Sequence, residues 1–463
     1  MTSSERGASD LDLGLLSPGR PGGRVEAETG DGAFLQALLD AEAALTRAQA
    51  RLGLAPEAAA VAVTAAARLG NFDSRAIALA GSAGGNPVIP LVGELRWAVG
   101  SEYAGSVHHG ATSQDIMDTA TMLVASRVRS LILAELERIA GALGTLAAAH
   151  RATPMAGRTL TQHAVPTTFG LKAAGWRALA LDAHDRLSGL SLPAQLGGAA
   201  GTLAAFTTTA QSTDAVFELV EGYAEENGLD TPTLPWHVLR TPIAELGGAL
   251  ALAAGALGKF AADVLVLSRT EIAEVRQTDG AGGSSAMPHK ANPVDAALIA
   301  AVARQVPALA GVLYGSMVAE DERPAGAWHA EWLPLREALR LVGTAASLAA
   351  HLAETLEPRP ERMAENLEAT RGLIVSERLV GVFDRATLTE AARAAGEREI
   401  PLAQALGERP EIRSLIEAGS LSAERLDELT DPAGYRGVAA ELTDRALART
   451  PVRPVVRRGE NDV

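Results

Sequence analysis

The sequence predicts an all-α protein built around an elongated central bundle of long helices. Three observations predict it. Proline is absent between Pro90 and Pro154, between Pro193 and Pro232 and between Pro242 and Pro288, and proline interrupts helix interiors, so these windows admit long helices. Apolar residues recur inside them at helical spacing, as in Ile116, Leu123, Val124, Val128, Leu131, Leu136, Ile139, Leu143 and Leu146. Only 3% of the 463 residues are aromatic while 47% are hydrophobic, so the core is made of Ala, Leu and Val, whose small side chains let helices approach closely.

Residues 1–30 are polar and punctuated by Gly and Pro, and they read as a loose arm. A helix is predicted over Phe34–Gly53, with Leu35, Leu38, Leu39 and Ala43 on one face and Gly53 as its stop. A second is predicted from Gln114 to His150. At about 1.5 Å per residue it would run roughly 55 Å, and it needs partners along its whole length. The windows TDAVFELVEGYAEENG and AELGGALALAAGALGKFAADVLVLSRTEIAEV read the same way. From about Glu357, the segments are short and broken by Pro358, Pro360, Pro401, Pro410 and Pro432, which predicts a small C-terminal helical domain. The expected division is an arm with a small helical domain over 1–110, the bundle over 111–356 and the C-terminal domain over 357–463. No strand-rich region is expected. No stretch reads as apolar enough for a membrane span, since the run from Leu246 to Gly258 is short and ends at Lys259.

The net charge of −15 argues against nucleic acid or an anionic membrane as partner. It leaves room for an anionic small substrate held by local cations. With no cysteine, disulfides, thiolate chemistry and Cys-based metal sites are excluded. None of the nine histidines falls in an H-E-x-x-H or H-x-x-E-H pattern, so no metal and no cofactor are expected. The N-terminus lacks the basic and apolar regions of a signal peptide, and a cytoplasmic location is expected.

Three polar clusters stand at the edges of the long helices. In HHGATSQDIMDT (His108–Thr119), Gly110 breaks the chain before Thr112, Ser113 and Asp115. Hydroxyls and N–H groups at a helix start form an anion site, and the same residues read equally as a plain N-cap. In GRTLTQHAVPTTFGLKAAGW (Gly157–Trp176), Thr159, Thr161, Gln162 and His163 precede Pro166; here the alternative is a buried, satisfied polar cluster. In GAGGSSAMPHKANP (Gly280–Pro293), glycines precede a double serine, Met287, a lysine and an amide. That composition suits a loop that closes over a substrate, with Met287 as an apolar plug, better than a solvated linker. A fourth segment, EDERPAGAWHAEWLPLREAL (Glu320–Leu339), sets Trp328 and Trp332 around His329 and Glu331, and reads as a core or interface patch.

At these residues the sequence resembles a known group. The stretch GSSAMPHKANP resembles the signature loop of the fumarase/aspartase superfamily, which includes argininosuccinate and adenylosuccinate lyases, and the other two clusters resemble its remaining signature regions in the expected order. The resemblance runs from about residue 30 to about 450. Within the group the chain is most similar to the bacterial 3-carboxy-cis,cis-muconate cycloisomerases. The resemblance implies a long central bundle between small terminal domains, a homotetramer, and active sites that each take the three regions from three subunits. It implies addition or elimination beside a carboxylate through an aci-carboxylate, on a small di- or tricarboxylate. Ser284, Lys290 and His163 become candidate catalytic residues. His108, Thr112, Ser113, Thr161, Gln162, Arg240, Ser285, Met287, Asn292 and Arg323 become candidate substrate binders. Three positions depart from the pattern: Leu160 where lyases of the group often carry His, His109 where the cycloisomerases often have Trp, and Ala291 where they often have Arg. The expected activity is that of a cycloisomerase; the alternatives are a related lyase that expels nitrite, an amine or another leaving group from a substituted succinate to give fumarate, and a non-catalytic protein on the same fold.

Overall fold

A computed structural model describes residues 14–19, 23–210, 212–279, 282–283, 287 and 290–451. Among the described residues the chain is all-α with three short two-stranded ladders. The N-terminal part holds α1 (Arg24–Thr29), α2 (Asp31–Arg51), α3 (Glu57–Ala66), α4 (Ser74–Gly84) and α5 (Val88–Val99). The long α6 (Ser113–Ala149) follows, then the hairpin β1 (Pro154–Thr159) and β2 (Gln162–Thr168), and α7 (Phe169–Ser188). Next come α8 (Ala204–Thr207), α9 (Thr213–Asn227), α10 (Thr241–Leu267), β3 (Val275–Gln277), β4 (Gly282–Gly283), β5 (Ala291–Asn292), α11 (Val294–Gly315), α12 (Ala327–Thr355) and β6 (Leu356–Pro358). Shorter helices complete the chain: α13 (Pro360–Glu368), α14 (Ser376–Leu379), α15 (Arg385–Arg398), α16 (Leu402–Gly407), α17 (Pro410–Glu417), α18 (Ala423–Thr430) and α19 (Ala439–Leu447).

Helices α6, α7, α10, α11 and α12 form the bundle. The small core residues expected from the composition do the packing: at Gly258 a methyl group would meet the Cβ of Ala303 at 2.4 Å, so α10 and α11 lie in backbone-close contact. Helix α12 runs parallel to α6, with Trp328 against Asp118 at one end and Glu354 against Arg138 further along. One hydrophobic core joins the bundle to the N-terminal helices through Leu35, Val63 and Leu91. Leu379, Leu388, Leu402 and Leu426 make a separate core near the C-terminus, while α19 returns to the bundle, where Ala446 accepts a hydrogen bond from Arg177 of α7.

Three sequence expectations change, and one open alternative closes. Arg24–Thr29 is helical, so the loose arm cannot run to residue 30. The helix expected over Phe34–Gly53 is Asp31–Arg51, because Gly30 at extended φ/ψ permits an earlier start. Two helices, Thr241–Leu267 and Val294–Gly315, are long and apolar enough to cross a membrane, contrary to the reading that none is; they pack on each other inside the bundle, with 50% and 39% of their most apolar stretches buried. Of the two readings open for 157–176 the buried polar cluster falls away: Thr159, Thr161 and Gln162 stand exposed on a hairpin that leads into α7.

Candidate active site

The first signature region sits at the start of α6. Gly110 makes the bend with φ +79°, and a Cβ there would meet the Phe206 ring at 2.5 Å, so only glycine fits. The N–H of Thr112 donates to Asp115 Oδ2 at 2.9 Å, as in a capping box. Asp115 is buried and also accepts from Gly197 N, Gly198 N and His237 Nε2, which ties two loops to the first turn. The exposed Arg323 comes to this helix start: its Nη1 donates to Thr112 Oγ1 at 2.8 Å and its Nε to Gln114 Oε1 at 3.4 Å. Ser113 is half-buried beside them. A hydroxyl pair, a helix N-terminus and a guanidinium with spare N–H groups make a corner whose chemistry suits a carboxylate.

Arg240 does not join that corner. It is 2% exposed, and every N–H has a partner: Nε and Nη2 donate to Glu331, Nη1 and Nη2 to Asp118, and Nη1 also to the Trp236 carbonyl. Burial would lower its pKa, but the two carboxylates hold it charged. The expectation of a substrate-binding cation fails because no donor is left. Asp118 also accepts from Trp328 Nε1 and Gln114 Nε2, so the cluster fixes the floor of the corner instead.

The second region is the β1–β2 hairpin. Arg158 of β1 makes a two-pronged ion pair with the buried Glu274 at 2.7 and 3.0 Å, which fastens the stem to the bundle. A bulge follows at Gly157, where a Cβ would meet the Val165 carbonyl at 2.4 Å. The two-residue turn is Leu160–Thr161, both at positive φ (48° and 73°). That geometry favours Asn-Gly, so a leucine here carries strain of a kind that clusters at functional sites. Leu160 is 97% exposed, with Thr161 and Gln162 exposed beside it. His163, opposite Arg158, is half-buried; burial and the Arg158 charge lower its pKa against a smaller pull from Glu274, so it is neutral at pH 7 and able to accept a proton.

The third region opens and closes on the β4–β5 ladder, Gly282 opposite Asn292 and Gly283 opposite Ala291. Ser284 and Ser285 lie outside the described residues. Met287 and Lys290 are exposed, the Lys290 N–H donating to the Met287 carbonyl, and Asn292 is half-buried. Behind them Asp295 accepts from Gln277 Nε2 and contacts His351 Nδ1 at 2.7 Å.

The first region does not meet the other two within one chain. Thr112 starts α6, and the hairpin follows its other end, about 55 Å away at 1.5 Å per residue. The third region leads into α11, whose Asp295 touches α12 at His351, near the Glu354–Arg138 pair, which lies about 40 Å along α6 from Thr112. Sequence reasoning also missed Glu42, which is buried and contacts His108 Nδ1 at 2.6 Å. Among the described residues no group of three or more His, Asp and Glu is placed to hold a metal ion.

Residues 24–308 match a family model described as Lyase. A nitrosuccinate lyase of Streptomyces davaonensis is 52% identical over 457 residues, 95% of each chain. A 3-carboxy-cis,cis-muconate cycloisomerase of Pseudomonas aeruginosa is 41% identical, over 92% of this chain and 94% of its own. The crystal structure of the 3-carboxy-cis,cis-muconate lactonizing enzyme of Pseudomonas putida superposes with a TM-score of 0.86 at 37% identity, covering 94% of this chain and 98% of that one. The chain is an enzyme and belongs to the fumarase/aspartase superfamily of lyases.

Proposed function

We propose that the protein is a dicarboxylate lyase that expels nitrite from nitrosuccinate and releases fumarate. The observation that carries this reading is the 52% identity to a nitrosuccinate lyase across 95% of both chains, against 41% to a cycloisomerase. The departures at His109 and Ala291 point the same way, because they change shape and charge where the cycloisomerases often have Trp and Arg. In the reaction a base removes the proton on the carbon next to the nitro-bearing one. The C–H electron pair first delocalises into the adjacent carboxylate as an aci-carboxylate. It then forms the C=C bond as the C–N bond breaks, and nitrite leaves with the C–N pair. Ser284 takes the proton, with loop N–H groups and Lys290 stabilising its alkoxide. Thr112, Ser113, Arg323 and Asn292 hold the carboxylates, whose charge rises in the transition state.

With nitrosuccinate, purified protein is expected to release fumarate and nitrite in equal amounts, read by fumarate absorbance and a nitrite assay. Absence of nitrite, together with consumption of 3-carboxy-cis,cis-muconate, would return the function to the cycloisomerase. That second reading is favoured by Leu160, which stands where lyases of the group often carry His.

The separation of the first region from the other two supports sites shared between subunits of a homotetramer. Apolar side chains remain uncovered on the bundle, among them Leu252 of α10 and Val312 and Tyr314 of α11. Light scattering is expected to give four chains per particle. A well-folded, active monomer at micromolar concentration would remove the shared-site arrangement.

A further inference from the structure

One face of α2 grips the turn before α6. Glu42, Thr46 and Gln49 are spaced so that they line one side of the helix, and all three are buried. Thr46 Oγ1 donates to the Ser106 carbonyl at 3.3 Å, Gln49 Nε2 donates to the His109 carbonyl at 2.9 Å, and Glu42 Oε1 meets His108 Nδ1 at 2.6 Å. Between these holds, His108 takes φ +60°, a left-handed conformation that a non-glycine residue keeps only when its surroundings enforce it. The grip therefore fixes the backbone and the ring together. His108 Nε2 is left without a hydrogen bond among the described residues, four positions before Thr112. The plain alternative, that Glu42 only caps a buried polar loop, does not account for a carboxyl side chain with 0% exposure whose one ion-pair partner among the described residues is a histidine. A buried charge needs a counter-charge.

We propose that Glu42 is a positioning residue for the reaction: it holds His108 as an imidazolium whose Nε2–H serves the anionic end of the substrate beside Thr112 and Arg323. The inference rests on the dicarboxylate reading of that corner. The groups facing the ring are Glu42 from α2, Asp115 from α6 and Arg96 from α5. Burial lowers the pKa of the ring, but the Glu42 hydrogen bond and charge, aided by Asp115 and opposed by Arg96, leave it raised. The sign follows. The imidazolium is present below the raised pKa, and its contribution to anion binding fades as pH rises through that value. Removing the Glu42 charge moves the fade to lower pH.

The test uses the full-length protein, succinate as a dicarboxylate with no leaving group, and the variants Glu42→Gln, Glu42→Asp and His108→Asn. The ring resonance of His108, assigned by its loss in His108→Asn, is expected to titrate above the ordinary histidine value of about 6.5 in the wild type and at least about one unit lower in Glu42→Gln. Glu42→Asp keeps the charge and is expected to keep most of the upward shift. Succinate titration calorimetry across this pH range should show Glu42→Gln weaker by about tenfold per unit of separation between the two titrations. Below both titrations the ratio should approach one. The proposal is overturned if His108 titrates at the same pH in wild type and Glu42→Gln, or if the affinity ratio is constant at every pH, as a purely structural role would give. If succinate binds no form of the protein, the dicarboxylate reading of the corner fails, and the ring titration still decides the part played by Glu42.

Discussion

Ser284→Ala is expected to lower kcat by about 10²–10⁴-fold or more while the protein stays folded. A group that transfers the proton in the transition state contributes at that step and little to binding, so the succinate affinity should change far less than the rate. Lys290→Ala should damage both, because it withdraws a cation from a carboxylate that gains charge in the transition state. Ser285→Ala should be mild if only the first serine reacts. The set is read by circular dichroism, succinate titration and steady-state kinetics. A Ser284→Ala enzyme with near-normal kcat would sink the assignment and send the search for the base to His163 and His329.

Arg240→Leu is expected to be among the most destabilising single substitutions in the chain. It strands Asp118 and Glu331, both buried, with no counter-charge between them. Breaking a buried ion pair from one side costs about 3–5 kcal/mol, and here two carboxylates are left facing one another. Burial already pushes the Glu331 carboxyl up, and Arg240 draws it back down. With the arginine gone, the folded-state pKa rises further above the unfolded value. The folded variant then binds a proton that the unfolded chain releases, so its deficit should shrink as pH falls and be largest above neutrality. Thermal melting of wild type and variant at several pH values measures this. A variant that melts within a degree or two of wild type at pH 8 would show that the cluster contributes little.

Much of the fold was legible in the sequence because its signals are local. Proline spacing and helical periodicity located α6 to within one residue at each end, Ser113–Ala149 against an expected Gln114–His150. The hairpin escaped because its turn residues are Leu160 and Thr161, and neither announces a turn. The strands on either side contain a glycine bulge and Pro166, which blur the alternation of a strand. Arg240 was misread for a different reason. Its partners Asp118 and Glu331 come from helices 122 and 91 residues away in sequence, and nothing local tells a buried arginine from an available one. Glu42 was hidden in the same way, as one acid inside an otherwise ordinary alanine-rich helix face. The signature loops were legible as motifs, but their distance from each other within one chain was not, because it depends on which end of α6 each is tied to.

The length of α6 has a consequence for inheritance. Under the shared arrangement proposed above, a chain faulty at Thr112 and a chain faulty at Lys290 each retain what the other lacks. Co-expressed, they would assemble some mixed sites that draw the sound segment from each parent, so two inactive alleles would restore part of the activity to one another. Two faults within the same segment would not. A rigid rod that keeps the segments far apart thus makes the pattern of rescue between alleles a map of which segments serve a common site.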